Sequence, residues 1–311
     1  MTKRSILTEK TTGNFRFGAI ALVGLPNAGK STLMNTLVGE KVAIVTPRPQ
    51  TTRNRITGIL TGQDFQAVFL DTPGINKAGG RMNDFLNRTA MEGLMSADVI
   101  VVLVDTLRYA DRPHLIRKEL ALLQGRVMDF ASVFIAANKV DKIRDKKNML
   151  PVMEELGEIF PEREILPVSA LTGDGCDVLL EKVVSLLPGG EALYPEDQIS
   201  TLPMRFMAAE IIREKLFMQT RQEVPYGLAV EIEYWTEEDN LTRIGALIYV
   251  LKSSHKSIVI GKKGHVLKKA GMEARHEIEA LTGQKVFLET WVKVKPGWNE
   301  NRNILSSLGL G

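Results

Sequence analysis

A single cysteine, Cys176, stands among 311 residues, so no internal disulfide can form, and the four histidines are scattered rather than set at metal-ligand spacing. These two shortages exclude a disulfide scaffold and a Cys/His zinc centre, and they predict a reducing, cytoplasmic setting. Long apolar runs are also missing. The longest aliphatic stretch, residues 99–104, falls far short of the roughly 20 residues that a membrane span needs, and the opening residues MTKRSILTEKTTGNF hold no apolar segment of signal-peptide length. Any membrane contact is therefore expected to be peripheral. The most local shortage is of acid. From Leu251 to Met272 there is no Asp or Glu, while Lys252, Lys256, Lys262, Lys263, Lys268 and Lys269 all fall inside it. The net charge of +3 hides this patch, because residues 1–200 carry 24 basic and 24 acidic side chains and residues 201–311 carry 16 and 13. Charge clustering, not total charge, is the relevant signal for nucleic acid.

What remains is ordinary for a globular chain, with 44% hydrophobic and 25% charged residues and enough length for two domains. Apolar β-rich runs alternate with helical patterns over residues 17–188, the signature of an α/β unit with a mostly parallel sheet wrapped by helices. The strands read as residues 17–23, 55–61, 67–70, 99–104, 132–137 and 165–168. Ligands of such sheets sit at the carboxyl ends of the strands, so Gly24, Asp71, Asp105, Asn138 and Ser169 are expected around one crevice. Residues 1–16 precede this unit as a flexible N-terminus, and residues 189–203, with Pro195 and a polar mix, read as a linker. Residues 204–298 then order as α, β, β, α, α, β, a smaller α+β domain, and residues 299–311 form a tail.

The first chemical element is GLPNAGKS, residues 24–31, which fits G-x-x-x-x-G-K-S between a strand and a helix. A tight turn feeding a helix N-terminus aims successive backbone N–H groups into one concavity that suits phosphate. Gly24, Asn27, Ala28, Gly29, Lys30, Ser31 and Thr32 form the expected phosphate-binding set, with Lys30 reaching the β- and γ-phosphates and the Ser31 hydroxyl on Mg²⁺. About forty residues on, Asp71-Thr72-Pro73-Gly74 supplies a second carboxylate-bearing loop. Asp71 is expected to hold Mg²⁺ through a water, and the Gly74 N–H to sense a γ-phosphate. Between them lies Gln50-Thr51-Thr52-Arg53, of which one threonine closes onto Mg²⁺; Thr52 is favoured over Thr51. Lys30, Thr52 and Gly74 are the catalytic candidates, and Ser31, Thr52 and Asp71 the metal candidates.

Asn138-Lys139-Val140-Asp141 follows a strand and supplies what guanine demands. The Asp141 carboxylate accepts from the base N1–H and exocyclic amine, Asn138 meets the O6/N7 edge, and Lys139 completes the element. Ser169-Ala170-Leu171 matches the short loop whose Ala170 N–H donates to guanine O6. Each element alone has an ordinary reading as a turn; their order and register decide for guanine-nucleotide binding. In the second domain, Gly261-Lys262-Lys263-Gly264 sits between two helices inside the acid-free interval. A GxxG loop lets protein backbone run against nucleic-acid backbone, with Lys256, Lys262, Lys263, His265, Lys268 and Lys269 near phosphate and Ile258 and Ile260 beside an apolar groove for bases. A lysine-rich helix face is often merely solvated, but topology, acid-free interval and loop coincide here. His255 and His265 are otherwise expected in surface or capping roles. Cys176 is expected to be inert. Trp291 and Trp298 are candidates for stacking on bases, although Trp291 alternates with Val292 and Val294 in a strand pattern that favours packing.

With GLPNAGKS, QTTR, DTPG, NKVD and SAL in order, the N-terminal half resembles the translation-factor-class GTPases. Ile75 follows Gly74 where Ras-like enzymes place a water-orienting glutamine, so slow intrinsic hydrolysis is expected. Nearly the whole chain resembles the Era family of bacterial GTPases, through RFMAAEIIREKL, VPYGLAVEIE, IVIGKKG, EARHEIE and WVKVKPGW as well. It departs at Asn76, Lys77 and Ala78, where the family often has His-Lys-Pro. The resemblance implies a P-loop GTPase domain followed by a type II KH domain, using GTP/GDP and Mg²⁺. It further implies a monomeric assembly factor for the 30S ribosomal subunit that holds the single-stranded 3′ end of the small-subunit (16S) rRNA. Peripheral contact with the inner face of the cell membrane is implied too, with no amphipathic anchor found to support it.

Overall fold

A computed structural model of the chain describes residues 15–75 and 80–308. The departure at residues 76–78 lies outside them, as does most of the N-terminal stretch. The first unit runs β1 (Arg16–Gly24), α1 (Lys30–Val38), β2 (Ile56–Thr61), β3 (Phe65–Asp71), α2 (Arg81–Met95), β4 (Val99–Asp105), the single turn α3 (Thr106–Tyr109), α4 (Leu115–Val127), β5 (Val133–Asn138), α5 (Leu150–Ile159), β6 (Glu164–Pro167) and α6 (Cys176–Ser185). The second runs α7 (Met204–Gln219), β7 (Leu228–Glu238), β8 (Leu241–Val250), α8 (Ser253–Ile260), α9 (His265–Thr282), β9 (Lys285–Val294) and α10 (Arg302–Ser307).

The first sheet has the order β2-β3-β1-β4-β5-β6, parallel except for the antiparallel β2–β3 pair. Its apolar runs are unbroken because both faces are covered. Along β1, Ile20 and Leu22 face α1 and α6, while Ala21 and Val23 face α2, α4 and α5. Alternation thus splits one strand between two cores, and each fully buried Leu or Ile contributes about 1.5–3 kcal/mol. The register sets Leu22 beside Asp71 and Asp105 beside Asn138, which brings the predicted strand ends to one edge.

The second sheet, β7-β8-β9, pairs antiparallel and then parallel. Leu228, Val230, Ile244, Ala246 and Ile248 pack against α7, α8 and α9. The opposite face buries Ala229, Leu247 and Tyr249 under Trp298 and Leu305, with Met82 and Phe85 of α2 packed alongside. The residues read as a tail therefore include a helix, α10, that closes this face.

The expected linker is fastened to the first sheet over much of its length. Ile59 N donates to Ile199 O (2.8 Å), Ser200 Oγ to Thr57 O (2.7 Å), and the buried Gln66 side chain bonds the backbone of Leu193 and Tyr194. The ties continue towards α7, where Leu202 and Phe206 pack against the core of the first unit.

Candidate nucleotide and RNA sites

The phosphate loop is shaped by backbone that few residues accept. Gly29 has φ 102°, and a Cβ there would collide with the Asn138 amide. Lys30 is 6% exposed, and its Nζ folds over the loop to donate to Gly24 O (3.3 Å) and Leu25 O (3.1 Å). Burial holds its pKa below the ordinary lysine value, with Asp71 pulling the other way. Asp71 is fully buried, and desolvation raises its pKa against the effects of Lys30, Ser31 and Thr52. A cation and an anion are thus held in a dry site, each short of compensating charge.

Three oxygens converge there. Ser31 Oγ lies 2.5 Å from Asp71 Oδ2 and 2.9 Å from Thr52 Oγ1, and Thr52 Oγ1 is 3.1 Å from Asp71 Oδ2. Asp71 Oδ1 is buried without a hydrogen-bond partner. One carboxylate and two hydroxyls with an orphaned oxygen fit Mg²⁺, a hard cation that completes its shell with water and substrate phosphate. Thr51 turns elsewhere, its hydroxyl bonded to Thr46 Oγ1 (2.6 Å) and Arg48 O (2.7 Å). The structure thus brings the Thr52 hydroxyl, and not that of Thr51, to Ser31 and Asp71. Gly74 packs so closely on the loop that a Cβ would meet Pro26 N at 2.8 Å. Ile75 is 2% exposed and belongs to the core with Ala90 and Leu94, so it has no route to a water beside the phosphates.

At the base-recognition end, Asn138 also ties loops together. Expected at the O6/N7 edge of guanine, it is 1% exposed, donates to Ala28 O (2.8 Å), and accepts from Ala170 N (2.9 Å). One amide N–H and the amide oxygen of Asn138 thus link the phosphate loop to the Ser169 loop, and the second amide N–H and a second oxygen lone pair are left over for a base. Asp141 keeps an accessible carboxylate oriented by Ser169 Oγ at 2.8 Å, and Lys139 Nζ pairs with Asp105 Oδ2 at 2.5 Å. Leu171 is exposed. Cys176 is buried, and its thiol is pushed up to about 11 by burial and then by Asp177 and Asp174, which leaves it inert as expected.

In the second unit Gly261 has φ 74°, and a Cβ would meet Val266 Cγ2 at 2.5 Å, so only glycine closes this turn onto α9. Lys263 is also left-handed (φ 52°). Lys256, Lys262, Lys263, His265, Lys268 and Lys269 are exposed, as is Ile258, and Ile260 is half-buried. Among the described residues only Lys269 of this group has an acidic neighbour, Glu273 at 3.9 Å. The two tryptophans exchange their expected places. Trp298 is fully buried with Nε1 donating to Gly227 O (3.0 Å), so it cannot stack on bases, whereas Trp291 is 43% exposed with Tyr234 at 6.3 Å. His255 is buried rather than at the surface, its Nδ1 without a partner.

Sequence reasoning missed a set of charged residues between the two units. Arg53 and Arg213 are 3% and 2% exposed, and Glu214 is 4% exposed. Arg53 donates to Leu228 O and Tyr226 O, Arg213 to Thr51 O, and Lys41 pairs with Glu214 and Glu277. A signal was present in the apolar run of α7, where Arg213 and Glu214 interrupt Ile211, Ile212, Leu216 and Phe217.

A model of the 50S ribosome-binding GTPase family matches residues 19–139, and a KH domain model matches residues 223–299. GTPase Era of Nitratidesulfovibrio vulgaris (strain DP4) is 50% identical over 298 residues, covering 95% of this chain and 97% of its own. GTPase Era of Azotobacter vinelandii is 42% identical over 304 residues, covering 97% and 99%. Among solved structures, a point variant of Aquifex aeolicus Era bound to GDP and AlF4⁻ superposes with a TM-score of 0.87 at 39% identity, covering 96% of this chain and 100% of that one. Era in complex with MgGDPNP and nucleotides 1506–1542 of 16S ribosomal RNA superposes with a TM-score of 0.88 at 39% identity, covering 96% and 99%.

Proposed function

The chain belongs to the Era family of GTPases, and from that premise we propose that it is a GTP-controlled factor that grips the single-stranded 3′ end of 16S rRNA during 30S subunit assembly and maturation. The reading assigns residues 17–188 to nucleotide binding and hydrolysis, residues 204–298 to RNA, and residues 189–203 to the connection. The observation that carries it is the convergence of Ser31, Thr52 and Asp71 oxygens beside buried Lys30. That cluster serves a metal–polyphosphate and little else.

GTP enters with its polyphosphate in the loop of residues 24–31 and its base against Asp141. Lys30 Nζ exchanges two backbone carbonyls for phosphate oxygens, and the Gly74 N–H meets the γ-phosphate where no side chain intervenes. Ser31, Thr52 and, through a water, Asp71 would hold Mg²⁺, which would supply charge neutralisation to the polyphosphate. Ile75 orients no water, so hydrolysis without a partner is slow. Asn138 holds the phosphate and base loops together through Ala28 and Ala170 and offers its remaining N–H to the O6/N7 edge of guanine. Lys262 and Lys263 meet the RNA backbone with Lys256, Lys268, Lys269 and His265, and bases settle beside Ile258 and Ile260. The related complex with MgGDPNP and 16S nucleotides supports placing both ligands on one chain. No described helix is long and apolar enough to cross a membrane. The working setting proposed is cytoplasmic, as a monomer, with any contact at the inner face of the cell membrane peripheral.

The test is binding of a short labelled RNA ending as 16S rRNA does, in GDP or a non-hydrolysable GTP analogue, for the native chain and for Gly261→Asp with Gly264→Asp. Tighter binding with the analogue, lost in the double variant, is the expected result. Binding indifferent to nucleotide would sink the switch, and binding that survives the double variant would move the RNA site elsewhere.

A further inference from the structure

We propose that Arg213 and Arg53 are positioning residues for GTP binding, because they clamp the backbone on both sides of Thr52 to the RNA-binding unit and so hold the Thr52 hydroxyl at the metal cluster. On the N-terminal side, Arg213 Nη2 donates to Thr51 O at 2.5 Å, and the same guanidinium is fixed by Glu210 through Nε (2.7 Å) and Nη2 (2.5 Å). On the C-terminal side, Arg53 Nη1 donates to Leu228 O at 2.7 Å and Nη2 to Tyr226 O at 3.1 Å, at the entry to β7. Arg53 lies 5.8 Å from the ring centroids of both Phe217 and Trp298, and Arg213 lies 5.2 Å from that of Phe217. Thr52 is thus the middle residue of a tripeptide whose neighbours are both anchored in the other unit.

The chemistry makes this more than packing. A guanidinium forks between acceptors in a fixed plane, so two of them constrain a loop in direction as well as distance. Both are buried, and Glu210 is the carboxylate beside Arg213. Leaving either without its carbonyls would strand a charge in a dry site. Undocking the unit therefore releases Thr52, and docking it restores the hydroxyl to Ser31 and Asp71. The loop is held at further points by Glu214 Oε1, which accepts from Val45 N at 2.8 Å, and by Glu277, which accepts from Lys41 Nζ at 2.5 Å. Glu277 lies on α9, the helix that begins at the GxxG loop. The RNA-binding unit is in this sense part of the γ-phosphate site.

The inference rests on the assignment of Thr52 to Mg²⁺, so the experiment tests both separately. GDP has no γ-phosphate and needs Thr52 least, which makes the ratio of GTP-analogue to GDP affinity the readout. Arg213→Met is expected to leave GDP affinity within about twofold, to weaken the analogue by about 10-fold, and to raise the Mg²⁺ concentration for half-saturation with analogue by a similar factor, a typical size for coupling between sites. Arg213→Lys keeps the cation but loses the fork. It should show an intermediate shift and carries the same test should Arg213→Met fail to fold. Equal weakening of GDP and analogue, or no change in either, overturns the proposal. Thr52→Ala separates the layers. If it shifts the Mg²⁺ requirement and neither Arg213 variant does, the clamp is wrong and the metal assignment stands. If Thr52→Ala shifts nothing, the metal assignment is wrong and the clamp falls with it.

Discussion

Lys30 lies 6% exposed between two carbonyls and a buried carboxylate, whereas Lys262 and Lys263 stand in solvent with no acidic neighbour among the described residues. Both are read as phosphate ligands, yet they stand in opposite environments. The nucleotide loop keeps its charges dry and pre-oriented, so one polyphosphate of one shape satisfies them and a poor fit leaves them stranded. The GxxG loop keeps its charges wet, so each phosphate contact adds a modest increment by releasing counterions, and shape matters through the glycine backbone rather than through the lysines. Burial confers discrimination; exposure confers reach along a strand.

The largest effect expected from this contrast is that of Lys30→Ala. The substitution removes the buried cation that is read as reaching the phosphates and whose charge favours the Asp71 carboxylate, so GDP affinity measured by calorimetry should fall on the order of 10²- to 10³-fold. RNA binding without nucleotide should stay within about twofold, since Lys30 is remote from the GxxG loop in the fold. A loss below about fivefold would mean that Lys30 is as dispensable as a surface lysine and would erase the comparison. Salt should separate the two sites next. If five lysines of the acid-free interval meet phosphates of a single strand, raising salt from about 50 to about 200 mM should weaken RNA binding roughly 100-fold. GDP affinity, resting on buried groups, should change by less than about threefold. Parallel salt slopes would contradict the distinction.

Base discrimination sharpens the buried side. Asp141→Asn replaces the acceptor for the guanine N1–H and amine, while its neighbour Ser169 can still hydrogen-bond the amide. Affinity for GDP should drop by about 10- to 100-fold, with a gain for the xanthine nucleotide, whose edge offers an acceptor instead. Competition binding with both diphosphates is the check, and an unchanged preference would remove Asp141 from base recognition.

These sites were legible to unequal degrees, and the reason is distance along the chain. The strand ends carrying Gly24, Asp71, Asp105 and Asn138 followed from apolar periodicity, because each element's face is set by residues two or four positions away. The phosphate loop, Asp71 and the GxxG loop are contiguous motifs whose chemistry lies in the local backbone. Arg53, Arg213, Glu214 and Glu277 were not legible, since their partners lie on the other unit and a buried arginine looks in sequence like a solvated one. Trp298 was misread for the same reason: it sits in a polar stretch without periodicity, and its burial under Gly227 and α10 is wholly tertiary. The loop-bridging role of Asn138 was not legible either, because it depends on the positions of Ala28 and Ala170, which only the folded chain supplies.

The smallest expected effect tests the exposed side at the level of one residue. Lys262 is exposed and has no acidic neighbour among the described residues, so its removal strands no buried group and opens no cavity. Lys262→Ala should therefore cost only its counterion increment, about fourfold in RNA affinity near physiological salt, and should lower the slope of log affinity against log salt by about 0.7. The loss should be the same for RNAs of different sequence, because a lysine on phosphate reads no base. Lys263 is a poorer probe. Its backbone is left-handed at φ 52°, so replacement there alters loop conformation together with charge. A loss at Lys262 that depended on RNA sequence, or that left the salt slope unchanged, would mean that this lysine touches a base edge. The GxxG loop would then discriminate as the buried site does.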